Sequence, residues 1–152
     1  MTILPGSMTG THYVRAVRPA FQDAHKWLPH KRDRALLRRQ ALKLRFWGDD
    51  RSTDEAGLVI DLNWDWVRAL RGDRIGELRI DDEIGGFDNL RVITWHPTKP
   101  IPPSWDPTFQ DVPHIWILSV FQKKRNDFTK ANLQTFAARR DTVLERFYDN
   151  KH

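Results

Sequence analysis

The chain contains no cysteine, which excludes a disulfide framework, a thiolate metal site and a cysteine nucleophile. Long apolar runs are missing too. Nothing approaches the roughly 18 consecutive apolar residues of a spanning helix, so no membrane association is expected. No Lys or Arg precedes Arg15 and no apolar stretch opens the chain, so a secretory leader is not expected and a cytoplasmic location is. The six histidines form no H-x-x-x-H or H-E-x-x-H pattern and gather no acidic residues, so neither a metal nor another cofactor is expected. The first ten residues, MTILPGSMTG, carry no charge and read as a flexible tail, which leaves 11–152 as a single domain.

What is present is aromatic and charged. Seven Trp and eight Phe argue against disorder, and 39% hydrophobic content suffices for one core. Net charge is +5, unevenly placed: residues 11–51 sum to +7, 52–111 to −6 and 112–152 to +4. Two basic regions flanking an acidic middle point to an anionic partner, nucleic acid being the commonest. A solvated arginine-rich helix face is the plainer account of either region alone.

Apolar periodicity gives the elements. Tyr13, Val14, Ala16 and Val17 read as a first strand. Pro19 suits a helix start, Phe21, Ala24 and Leu28 share one helical face, and Pro29 closes it. A second helix reads over 31–47 on Leu37, Ala41 and Leu44, its other faces covered by arginine and lysine. The short connection predicts an antiparallel helix hairpin. Residues 58–70, with Trp64 and Trp66, fit a strand, a helical turn or neither. Strands read over 74–80, 90–96 and 114–121, the last apolar enough to be covered on both faces. Six of the nine prolines lie in 97–113, which is therefore a loop. Thr129 caps a last helix with Leu133, Phe136, Ala137, Val143, Leu144 and Phe147 on its apolar face. The order β-α-α-β-β-β-α predicts an α+β fold: an N-terminal helix hairpin packed on a small antiparallel sheet, with a C-terminal helix.

Three segments carry a resemblance: IGELRI at 75–80, LRVITW at 90–95 and SVFQKKRNDFTKANLQTFAARR at 119–140. In order and spacing they resemble the RelE/HigB-type toxins of bacterial toxin–antitoxin systems, within the RelE/ParE superfamily and nearest its phage-associated branch. The long 97–113 loop and the absence of Pro at the start of the last helix depart from that pattern. The resemblance implies a RelE-like fold and a ribosome-associated mRNA endoribonuclease that inhibits translation and is neutralised by a cognate antitoxin. It implies metal-independent transesterification, in which the ribose 2′-OH attacks the adjacent phosphate to give a 2′,3′-cyclic phosphate and a 5′-OH. Such chemistry needs a base, cations for the phosphorane and an acid for the leaving oxygen.

The catalytic candidates are Arg79 and Arg91 in strands, and Lys123 and Lys124 at a strand end, of which one or the other is essential. For each arginine, a salt bridge with Glu77 or a loop carboxylate is the alternative. Arg125, Arg38, Arg39 and Lys43 are candidates for RNA phosphates, and Trp105 for base stacking. His96 and His114 bracket the proline-rich loop and are placed for proton transfer or simply as polar surface. Trp116 reads as core. Two other functions stay open: a ParE-like gyrase-inhibiting toxin, and a non-catalytic nucleic-acid-binding module.

Overall fold

The computed structural model describes residues 12–47, 52–53, 59–60, 62–81, 84, 89–98, 113–123 and 128–148. The chain runs through β1 (Tyr13–Ala16), α1 (Arg18–Trp27), α2 (Lys31–Ala41), β2 (Ser52–Thr53), β3 (Val59–Ile60), β4 (Trp64–Trp66), β5 (Ile75–Ile80), β6 (Leu90–Trp95), β7 (His114–Gln122) and α3 (Lys130–Val143). Short 3₁₀ segments occupy Leu42–Phe46 and Arg68–Asp73, and a π-helical turn Leu144–Tyr148. The fold is mixed α/β, built on a five-stranded sheet ordered β1-β7-β6-β5-β4, with β2 and β3 paired separately. Among the described residues no helix is long and apolar enough to cross a membrane.

The sheet is mixed, where the sequence predicts an antiparallel one. β4, β5, β6 and β7 pair antiparallel in turn, but β1 lies parallel to β7, Tyr13 opposite His114 and Ala16 opposite Ile117. Local periodicity shows that a strand exists, not which distant strand it joins, and a parallel partner is reached only through a long crossover. The pairing places β7 between β1 and β6, and its residues 114–120 are all buried.

Helix boundaries follow local chemistry. Pro19 sits in the first turn of α1. Pro29 follows its end, and the Arg34 guanidinium donates to the carbonyls of Leu28 (2.9 Å) and Pro29 (2.7 Å). α2 ends at Ala41 rather than continuing to Trp47; the tighter 3₁₀ turn that follows buries Leu44 and Phe46. Thr129 caps α3 reciprocally: Asn132 N–H donates to its Oγ1 and Thr129 N–H to Asn132 Oδ1. Leu144, expected on the apolar face, is 42% exposed. The π-helical turn rotates the helix surface there, and Phe147 and Tyr148 reach Trp116 instead.

Alternation along the strands defines two faces. One carries Ala16, Leu78, Val92, Ile117 and Val120, and α1 and α2 lie over it. The other carries Glu77, Arg79, Arg91, Trp95, Trp116 and Phe121, and α3 with its π-helical turn covers the Trp116 and Phe121 part of it. A bulge at Leu118, between the pairs Ile93–Ser119 and Thr94–Ile117, shifts the β6–β7 register by one residue, so that Ile117 and Val120 share one face and Trp116 and Ser119 the other.

β1 stops short of the end of β7, leaving an open edge beyond Ile117. Side chains complete it. Asp23 Oδ2 of α1 accepts from Val120 N (3.3 Å) and Ser119 Oγ (2.7 Å). Arg139 Nη1 of α3 donates to Leu118 O (3.0 Å) and to Asp23 Oδ2 (2.6 Å). Leu118 O and Val120 N on this edge are thus paired by side chains, and both helices are tied to β7.

Candidate active site

The hairpin of β5 and β6 places three charges on one face. Glu77 and Arg79 are two residues apart on β5, and Arg91 stands opposite Arg79 on β6. Unlike charges on neighbouring strand positions attract. Glu77 Oε1 lies 3.1 Å from Arg79 Nε, a hydrogen-bonded pair. It lies 3.2 Å from Arg91 Nε, an ion pair without hydrogen-bond alignment. Arg91 Nη1 also faces Asp81 Oδ1 (3.4 Å) and the carbonyl of Leu90 (3.2 Å).

The two arginines differ in what remains free. The Arg91 side chain is 9% exposed and Glu77 5%, so each holds the other's charge away from water. Arg79 is 43% exposed, and its terminal nitrogens have no partner among the described residues. With Nε fixed by Glu77, that guanidinium presents a planar fork to solvent, a geometry suited to two oxygens of a phosphate. In the sequence Glu77 stands only as a counter-ion to the arginines. A carboxylate inside the apolar pattern of IGELRI, two residues before an arginine, was the signal for its burial.

Lys123 is the third cation at this end of the sheet. Its N–H donates to Asn89 O (2.8 Å), extending the β6–β7 ladder one step past β7. Arg91 pairs with Phe121, and Lys123 lies two residues further, so continuing alternation puts it on the same face. Its Nζ sits 4.7 Å from the centre of the Phe128 ring. That ring packs edge-on against Phe136 at 5.2 Å, anchoring the start of α3. Lys124, Arg125 and Trp105 lie outside the described residues, as does most of the 97–113 loop.

Other sequence candidates lie elsewhere. Arg38 and Arg39 are exposed on α2 and Lys43 is half-buried in the following 3₁₀ turn. Arg38 borders the space over the sheet face opposite Arg79 and Arg91. His96 is 2% exposed and packs between Trp47 and Trp64, at 4.2 and 4.8 Å between ring centres. Thr94 Oγ1 lies 2.7 Å from its Nε2 and accepts from Trp64 Nε1 at 3.0 Å. Burial holds the His96 pKa well below 6.5, and the charges of His12 and Arg74 lower it further. His114 is also buried, against Tyr13 and Trp116. His96 is one residue past β6, about 17 Å along the strand from Arg91. Trp116 is fully buried and donates through Nε1 to Tyr148 Oη at 2.7 Å. Burial raises the Tyr148 pKa to about 12, against smaller lowering effects of that hydrogen bond and of Arg15.

No family model matches the chain, and no characterised protein or solved structure does either.

Proposed function

We propose that this chain is a RelE/HigB-type toxin, a metal-independent endoribonuclease that cleaves mRNA at the ribosome in the cytoplasm and is held inactive by a cognate antitoxin. One observation supports it above the others: the exposed Arg79 fork, fixed by buried Glu77, which Arg91 also pairs, at the sheet end where β7 runs into Lys123. The sequence resemblance supplies the reaction.

In this reading Arg79 binds the non-bridging oxygens of the scissile phosphate and stabilises the phosphorane. Glu77 and Arg91 position it. The ribose 2′-oxygen bonds to phosphorus as the P–O5′ bond breaks, leaving a 2′,3′-cyclic phosphate and a 5′-OH. A base takes the 2′-OH proton and an acid protonates the 5′-oxygen. Lys123 or Lys124 serves one of these roles, an amine at the end of β7 being able to give or take a proton at the scissile bond.

The test is cleavage of an mRNA in a translating extract with 5′-end mapping, using antitoxin-free protein. Wild type should cut. Arg79→Ala, at a partly exposed position, should cut about a hundredfold more slowly while remaining folded, its melting temperature lowered by only a few degrees (about 2–8 °C). Lys123→Ala/Lys124→Ala should also be impaired. No cutting by folded wild type refutes the reading, and a gyrase supercoiling assay then tests the ParE-like alternative.

A further inference from the structure

α1 and α2 follow one another closely in sequence yet make little direct contact. Between them, over the sheet, lies a groove of about 340 Å³. Its apolar walls include Ala20 and Ala24 from α1, Leu37 and Ala41 from α2, and Val92 and Val120 from the sheet. Its rim is basic: His25, Lys31, Arg34 and Arg38 border it. Lys31 and Arg38 are exposed and have no carboxylate partner among the described residues. Arg34 is fixed by its bonds to the carbonyls of Leu28 and Pro29.

We propose that this groove binds a small organic anion with an apolar body, of the class of a medium-chain carboxylate. Size and charge carry the assignment. The volume lies near the lower end of the ~300–1,000 Å³ range of small-molecule pockets. A cavity of about 150 Å³ takes a benzene ring, so this one takes about a dozen non-hydrogen atoms. That is too small for a helix, which is about 10–12 Å across with its side chains. The apolar walls accept a hydrocarbon tail, and the cations at the mouth accept one anionic head. Stacking surfaces for bases are few, Phe21 and His25 being the aromatic rings among the lining residues, with no Trp or Tyr. The site lies on the face opposite Arg79 and Arg91 and does not depend on the endoribonuclease reading.

The experiment is calorimetric titration of the full chain with octanoate, octan-1-ol and butyrate, alongside a short oligouridylate. Octanoate should bind, octan-1-ol at least about tenfold more weakly and butyrate not measurably. Lys31→Gln/Arg38→Gln, both exposed, should weaken octanoate about tenfold and leave octan-1-ol unchanged. Ala24→Leu should fill the groove and abolish binding of both; Ala35→Leu, at an exposed lining position, does the same at the mouth if Ala24→Leu fails to fold. Three results would overturn the proposal. The first is no octanoate binding to folded wild type. The second is binding insensitive to both the charge and the filling variants. The third is oligouridylate binding that needs Lys31 and Arg38 while octanoate does not bind, which would make these cations a polyanion surface.

Discussion

Removing the Asp23 carboxylate tests how the open edge of β7 is held. In Asp23→Ala, three donors lose one acceptor: Arg139 Nη1, Ser119 Oγ and Val120 N. A hydrogen bond to a charged group contributes about 1.5–3 kcal/mol and a neutral one about 0.5–1.5 kcal/mol. The side chains of Arg139 and Asp23 are 23% and 19% exposed, so water restores part of the loss. All three bonds are to the charged carboxylate, about 4.5–9 kcal/mol together if unscreened, and with water restoring part of the loss a cost of about 3 kcal/mol is expected. For a chain of this size that lowers the melting temperature by about 6–12 °C. Asp23→Asn keeps an acceptor oxygen without the charge and should cost about half as much. Chemical denaturation of Asp23→Ala, Arg139→Ala and the double variant closes a thermodynamic cycle, with an expected coupling of about 1–2 kcal/mol. If each single variant costs less than about 0.5 kcal/mol and the two are additive, the edge is sealed by something else and the argument fails.

Arg91→Ala should cost about 3–5 kcal/mol, because it leaves Glu77 buried beside a single, partly exposed partner, whereas Arg79→Ala, which removes one hydrogen bond from Glu77 and leaves the Arg91 ion pair, should cost about 1–2 kcal/mol; urea unfolding of the two distinguishes the buried from the exposed cation. Gly76→Ala should cost about 2–3 kcal/mol, since a Cβ there overlaps the Trp64 indole, with Cζ2 in contact and Cε2 at 2.6 Å; loss of stability with a shifted tryptophan emission checks it. His12 titrates at about 4, lowered by burial, and His96 is also held well below 6.5. The folded chain therefore binds fewer protons than the unfolded one as pH drops. Stability from these residues is complete above pH 6.5 and is lost downward, through about 4 for His12, so the melting temperature should fall between pH 7 and 4.5, less steeply in His12→Asn. Tyr148→Phe removes the acceptor of Trp116 Nε1 and should cost about 1–2 kcal/mol by thermal unfolding.

The candidate site shows how far neighbouring residues inform one another. Arg79 and Glu77 are two apart on a strand, so their pairing was available from spacing alone. That Arg91 stands across from Arg79 depends on the β5–β6 register, which Asn89 helps to set: it enters β6 in the left-handed region at φ 59°. Arg74 holds the same conformation at φ 58°, kept by its Nε bond to His96 O (2.6 Å) and its place over Trp66. Neither conformation is signalled by a glycine. From sequence His96 is the end of a strand bordering the prolines, placed for proton transfer or as polar surface, but its surroundings come from Trp47, Trp64 and Trp66, distant in sequence, which together bury it.

Periodicity and capping residues determined the elements by themselves: the Pro19 helix start, the Pro29 stop, the Thr129 cap, the strands around IGELRI, LRVITW and HIWILSVF, and the burial of Trp116. These depend on backbone sterics and on contacts within a few residues, which a linear pattern records. Tertiary structure alone decided that β1 lies parallel to β7, that Asp23 and Arg139 complete the uncovered part of that strand, and that Arg91 is buried while Arg79 is open. Each of these depends on residues far apart in the chain sharing one desolvated place, where an unpaired charge or backbone group is too costly to remain.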